Sequence, residues 1–524
     1  MNYSELFRVM LPETALEVAA LVVLVIDLAF LRKAALKVRV TVAALLGVVG
    51  CGAALWAMQA MYSFTYDLLP LGLGVQLNTF IVVPQVGILV LTALTLLLLI
   101  DSVFTKHVGE FVAVVLMAAA GGLLIASAHD LLVIFIGLEL LSLGLYILTA
   151  FAKRSGKSAE AAMKYYLFGG MSAAFLLFGF SYLYGLSGST NIFEIQRDIA
   201  ISGPSPLFYV AWILVVAGLG FKVAAVPFHL WAPDTYEGAP TPAAAFIASV
   251  SKVASFALLL TLSLAWFMPN WFVNGNKADL GQHVHSPYQT WPPLAGILLV
   301  VAAASMVVGN LAALAQVSVR RLLAYSAIAH AGYILLGIAV MPNLSGFVEC
   351  GYCYHIVWML AHRSAGAVLY YVLTYGLTTI GAFGVVSVVE RATGNDRLDS
   401  FLGLHKRNPL LAVVLLVLFL SLAGIPPLVG FWAKFNLFAA VLGVSAGPVP
   451  FALVALAVAF SIISLYYYLQ VLKRAYVMPA VDETPIKAHP ITLAVLLLIA
   501  AAVVLLGCFP ALLLRWIESF YPVM

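Results

Sequence analysis

A chain of 524 residues in which 64% are hydrophobic and only 9% are charged departs far from the roughly 25% charged composition of a soluble domain. Apolar stretches of about 20 residues recur from end to end, so the lipid bilayer is the solvent and the fold class is an all-α integral membrane protein in one membrane domain. The modest net charge of +4 and the four cysteines give no basis for nucleic acid as a partner or for a disulfide framework.

The N-terminal stretch MNYSELFRVMLPETALEV carries Glu5, Glu13 and Glu17 but no basic run or small-residue cleavage site, which excludes a secretory signal peptide. Three spans are predicted within 1–108, at roughly 13–31, 38–60 and 80–101. Five follow within 109–267, at 109–127, 129–152, 160–185, 206–228 and 241–267. Five more fill 291–474, at 292–314, 322–341, 365–390, 409–439 and 450–474, and a last one at 490–512 lies in 475–524. The total is about fourteen transmembrane helices. Loops after odd-numbered spans hold most of the 26 Lys and Arg residues, whereas the other side holds only Arg8, Arg197, Lys277, Arg363 and Arg515. Basic loops resist translocation, so both termini and the loop 268–290 are expected on the outer side.

Lys222, Lys252 and Lys434 are left inside spans, where a charge costs roughly 2.5–3.5 kcal/mol. Snorkelling or static ion pairing would be the purely structural account of them. Glu139, in LLVIFIGLELLSLGLYIL, is the carboxylate read as deepest in a span, and its natural partner is a lysine on another helix. Lys222 precedes Pro227, and Lys434 follows Pro426 and Pro427. Proline frees a carbonyl, and a helix broken at membrane depth is tolerated where it lines a hydrated cavity. The two breaks lie about five spans apart, which predicts two inverted five-helix repeats, about helices 4–8 and 9–13, each with one broken helix. A change in the Glu139–Lys222 distance would switch that lysine between holding and releasing a proton. His229, His330 and Tyr325 are candidate members of a hydrogen-bonded relay. Asp27 and Asp101 read as interfacial, with Arg32 a candidate partner of the first. The segments HVHS at 283–286 and ECGYCYH at 349–355 hold a conceivable Cys2His2 metal set or a Cys350–Cys353 disulfide, but loose spacing favours plain loop packing, and no metal is expected.

The stretch GLGFKVAAVPFHLWAPDTYEGAPTPAAAFIASVSKVA, ending at Ala254, closely resembles the signature of the antiporter-like subunits of respiratory complex I, the NADH:quinone oxidoreductase. FAKRSGKSAEAAMKYYLFGGMSAAFLLFGFSYLYGLSGST at 151–190 looks like the N-type in particular, and ALAQVSVRRLLAYSAIAHAGY at 313–333 fits the same family. The resemblance implies proton translocation, with Glu139, Lys222, Lys252 and Lys434 matching the family's fifth-helix glutamate and its seventh-, eighth- and twelfth-helix lysines. It also implies a bacterial inner membrane, M-type and K-type neighbours, and NADH, FMN, iron–sulfur clusters and quinone bound by other subunits. This chain is expected to carry no cofactor. The loops 268–290 and 342–364 are longer than the family leads one to expect. A subunit of a multisubunit cation/proton antiporter or of a membrane-bound hydrogenase is the alternative, and an inert membrane anchor a further one that the intramembrane lysines oppose.

Overall fold

The computed structural model describes residue 7 and residues 9–64, 79–102, 104–267, 292–340, 353–444, 447–480 and 482–520. Among these there are helices and no strands. The chain opens with α1 (Leu11–Val25), which continues as a π turn over Ile26–Phe30, followed by α2 (Leu36–Phe64) and α3 (Thr79–Leu99). The first repeat comprises α4 (Val108–Ser127), α5 (Leu131–Thr149), α6 (Gly156–Ser187), the short α7 (Ile192–Ser202), α8 (Pro206–Lys222), α9 (Trp231–Gly238) and α10 (Thr241–Phe267). The second comprises α11 (Pro292–Leu314), α12 (Val319–Ala339), α13 (Cys353–Thr393), α14 (Pro409–Ala423), α15 (Val429–Val444) and α16 (Pro448–Tyr476). Finally come α17 (Pro490–Cys508) and α18 (Ala511–Glu518).

Eleven of the described helices are long and apolar enough to cross a membrane. The first helix with its π turn and the two broken helices, α8–α9 and α14–α15, bring the spans to the fourteen expected. Local sequence explains the ends. Asp130 accepts from the amides of Leu132 and Val133 and so opens α5, while Ser205 and Asn408 do the same before Pro206 and Pro409, whose missing N–H suits a first helical position.

The two repeats share one plan. In each, the first two helices form a tight hairpin (α4 with α5, α11 with α12), the third packs on the broken helix, and the fifth returns to the first. Gly121 permits the first hairpin, since a Cβ there would lie 2.7 Å from the Leu141 backbone nitrogen. Because each unit has five spans, the second starts on the opposite face and is inverted. α10 is buried along its whole apolar length and packs on α13, which joins the two units at the centre of the molecule.

Spans seven and twelve, over 206–228 and 409–439, are each split in two, the broken helices that the prolines predict. Three expectations change. The loop expected over 342–364 is helical from Cys353 onward, so Arg363 lies within a helix rather than in a loop. α7 escaped the reading because its 11 residues combine apolar and charged positions too briefly to register as a span. Asp27 is fully buried and pairs with Arg39 at 2.6 Å, not Arg32, and it also accepts the Gly109 amide. The segment 283–286 and Cys350 lie outside the described residues.

Candidate functional site

The first break begins where α8 ends at Lys222. Ala224 adopts a left-handed φ of 57°, and Pro227 has no amide, so the backbone cannot continue as a helix. The groups this frees are satisfied one by one. Trp231 donates its indole N–H to Phe221 O at 3.0 Å, the Val226 amide donates to Ser305 Oγ at 2.9 Å, and Lys252 donates to Val223 O. Ser305 belongs to α11, so the second repeat holds the break of the first.

Lys222 and Lys252 are both buried within this arrangement. The Lys222 ammonium donates to Ser142 Oγ at 2.5 Å, and Ser142 donates onward to Leu138 O. Glu139 stands on α5 one turn from Ser142 and is half-buried. No ion pair joins Glu139 to Lys222 among the described residues, so the serine hydroxyl occupies the place expected for the carboxylate. His229 lies in the break and is half-buried.

The second break follows α14. Gly424 closes that helix with φ 88°, and Gly430 N donates to Ser421 Oγ at 3.2 Å. Lys434, on α15, turns back to donate to Leu422 O at 3.2 Å, Ala423 O at 2.9 Å and Ser461 Oγ at 2.8 Å. A Cβ on Gly424 would come within 3.2 Å of the Lys434 ammonium, so glycine serves here both for its backbone and for the room it leaves. Lys252 and Lys434 thus do equivalent things: each places a cation on carbonyls at the C-terminal, negative end of a half-helix.

Between them lies His330, buried on α12. Its Nδ1 is 2.8 Å from Tyr371 Oη, its Nε2 is 3.5 Å from Tyr468 Oη, and Tyr468 also contacts the Ser326 hydroxyl. A second polar knot adjoins it: Tyr467 donates to Asn310 Oδ1 at 3.2 Å, Asn310 donates to Tyr333 Oη at 3.1 Å, and the Tyr333 ring centroid lies 5.4 Å from Lys434 Nζ. His330 therefore sits within a hydrogen-bonded cluster. Tyr325 makes no side-chain hydrogen bond among the described residues, and its neighbour Ser326 takes the place expected for it.

Sequence reading missed Ser142, Ser305, Ser461, Asn310 and the tyrosines, because hydroxyls and amides inside apolar helices are common and carry no charge to mark them. It also missed an ionic lattice on the basic face. Asp234 on α9 pairs with Lys164 at 2.7 Å and with Arg321 at 2.7 Å, and Glu237 pairs with Arg321 at 3.1 Å. Glu390 pairs with Arg320 at 3.1 Å and accepts from Thr241 at 2.6 Å. The spacing of Asp234 and Glu237, one turn apart on a short helix, was the available signal.

The Proton_antipo_M family, described as NADH:quinone oxidoreductase/Mrp antiporter, TM, matches residues 128–274 and 283–464, which contain all four intramembrane charges. NADH-quinone oxidoreductase subunit N 2 of Acidobacterium capsulatum is 47% identical over 99% of both chains. The chain belongs to the subunit N family of NADH-quinone oxidoreductases. A chain of respiratory complex I from Thermus thermophilus shares its fold with a TM-score of 0.73 and 32% identity, over 96% of this chain and 98% of that one. A chain of the Mrp complex from a Dietzia species, 21% identical with a TM-score of 0.76 over 97% of this chain and 96% of that one, shows the fold alone. As a member of the subunit N family, the chain is a multi-pass membrane component of an enzyme complex, and its buried lysines lie where the antiporter-like fold breaks its helices.

Proposed function

We propose that the chain carries protons across the membrane within an NADH:quinone oxidoreductase by way of Lys222, Lys252, the His330 cluster and Lys434, with Glu139 setting the charge beside Lys222. The observation that supports this most strongly is the seat of the cations: Lys252 and Lys434 each rest on carbonyls released by a helix break, where small backbone movements change the number of acceptors an ammonium finds. In this reading His330, Tyr371 and Tyr468 bridge the two halves. NADH, FMN, the iron–sulfur clusters and quinone belong to other subunits, M-type and K-type subunits are the neighbours, and both termini face the outer side. The antiporter or hydrogenase alternative rests on fold likeness, since the Mrp chain is 21% identical where the subunit N relative is 47% identical.

The test is the assembled complex carrying Lys252→Ala, reconstituted in sealed vesicles. Protons moved per electron should fall and coupled quinone reduction should drop by about tenfold or more, with the subunits still co-purifying. An unchanged ratio in an assembled complex would remove Lys252 from the path. A single cysteine in place of Ser519, in a background free of Cys51, Cys350, Cys353 and Cys508, should react with an impermeant reagent from the outer side, and labelling from the cytoplasm alone would reverse the topology.

A further inference from the structure

Away from the lysine path, the basic face carries a hollow of about 530 Å³ lined in part by Lys37, Asp101, Arg391, Lys487 and His489. These residues come from separate helix ends: the start of α2, the residues just past α3, the last turn of α13 and the turn leading into α17. Ends of spanning helices lie at headgroup depth, so the hollow lies where lipid phosphates are found.

Its charges do not balance. Asp101 is already engaged, by the Arg391 guanidinium and by the His489 amide at 3.1 Å, and Arg391 also donates to Lys487 O at 2.5 Å. Lys37 and Lys487 are exposed and form no ion pair among the described residues, which leaves two uncompensated cations facing one space. His489 Nδ1 is buried there without a hydrogen-bond partner.

An apolar groove leads away from the hollow. α3 packs on α2 along one flank and on α17 along the other, with α10 and α13 on its inner side. Its remaining stripe, Val86, Val90, Ala93 and Leu97, is half-buried or exposed at helical spacing, and the next turn of that stripe is Asp101 itself. Exposed Val38 and Leu45 on α2 and Leu498 on α17 add apolar surface on both flanking helices.

We propose that this hollow and groove bind one anionic phospholipid, its phosphodiester between Lys37 and Lys487 and an acyl chain along α3. The free charge is positive and the one carboxylate is spent, so an anionic headgroup is favoured over a zwitterionic one. Inorganic phosphate would satisfy the cations yet leave the apolar stripe unused.

The test uses the intact complex in nanodiscs of phosphatidylcholine with increasing phosphatidylglycerol, with bound lipid counted by native mass spectrometry. At about 1 kcal/mol per surface lysine, the Lys37→Gln/Lys487→Gln double variant should bind phosphatidylglycerol roughly ten- to thirtyfold more weakly than the parent. The charge-keeping Lys37→Arg/Lys487→Arg pair should match the parent, and inorganic phosphate should not displace the lipid. Equal retention by the Gln variant, loss in the Arg variant, displacement by inorganic phosphate, or a neighbouring subunit found filling the groove would each overturn the proposal.

Discussion

The two helix breaks solve the same problem with different staffing. At the first, two lysines divide the work: Lys252 caps the freed carbonyl, while Lys222 reaches sideways to Ser142, one turn from the Glu139 carboxylate. At the second, Lys434 alone caps two carbonyls and touches Ser461, among aromatic rings and hydroxyls. In the proposed path the first break would respond to a negative charge on a neighbouring helix, and the second would hold a cation at a helix end.

That contrast orders the expected effects. Lys434→Ala removes cap and carrier together, leaving the carbonyls of Leu422 and Ala423 without their donor, so proton pumping should fall by more than about tenfold and the second repeat should lose roughly 1–3 kcal/mol. Proton flux and thermal unfolding of the assembled complex read the two losses separately. Pumping that survived Lys434→Ala would mean that the second break has a further carrier.

Glu139→Gln keeps shape and hydrogen bonding but deletes the charge, and it should slow turnover several-fold, whereas Glu139→Asp should retain more activity. Wild-type turnover in both variants, with assembly intact, would make Glu139 structural and erase the proposed difference between the breaks. Ser142→Ala should cost about fivefold, the equivalent of one hydrogen bond of about 1 kcal/mol, because the hydroxyl is the acceptor that Lys222 finds among the described residues. Ser461→Ala should cost less, since Lys434 keeps its two carbonyls, and steady-state quinone reduction in matched preparations compares the two directly. The smallest effect is expected of Tyr468→Phe, which removes a contact to His330 of 3.5 Å. About a twofold loss, together with an altered pH profile of turnover, would place Tyr468 in the relay, and an unaltered profile would leave it as packing.

The spans, the breaks and the four charged residues were legible because each rests on a composition that membranes penalise: a long apolar run, a proline inside it, an ionisable group at depth. What stayed hidden was how those charges are satisfied. Glu139 looked like the partner of Lys222 because a carboxylate is the usual neighbour of a buried ammonium, yet Ser142, on the same helix and one turn on, makes the contact. Tyr325 and Ser326 are adjacent in sequence but point their roles apart, since successive residues on a helix face different neighbours. Arg32 was read as the candidate partner of Asp27 because it lies nearer in sequence, but after the turn at 31–35 it is Arg39, on α2, that reaches the carboxylate.

The hydrogen bond from the Val226 amide to Ser305 crosses from one repeat to the other, and it gives the molecule a reporter of its own unity. A first repeat expressed alone would carry that amide into hydrocarbon with nothing to receive it, at a cost of several kcal/mol, so the halves are unsuited to independent life even though each repeats the other's plan. In the whole chain, slow deuterium uptake at this single amide is the expected sign that the two repeats stay joined, and fast uptake would show that this contact opens.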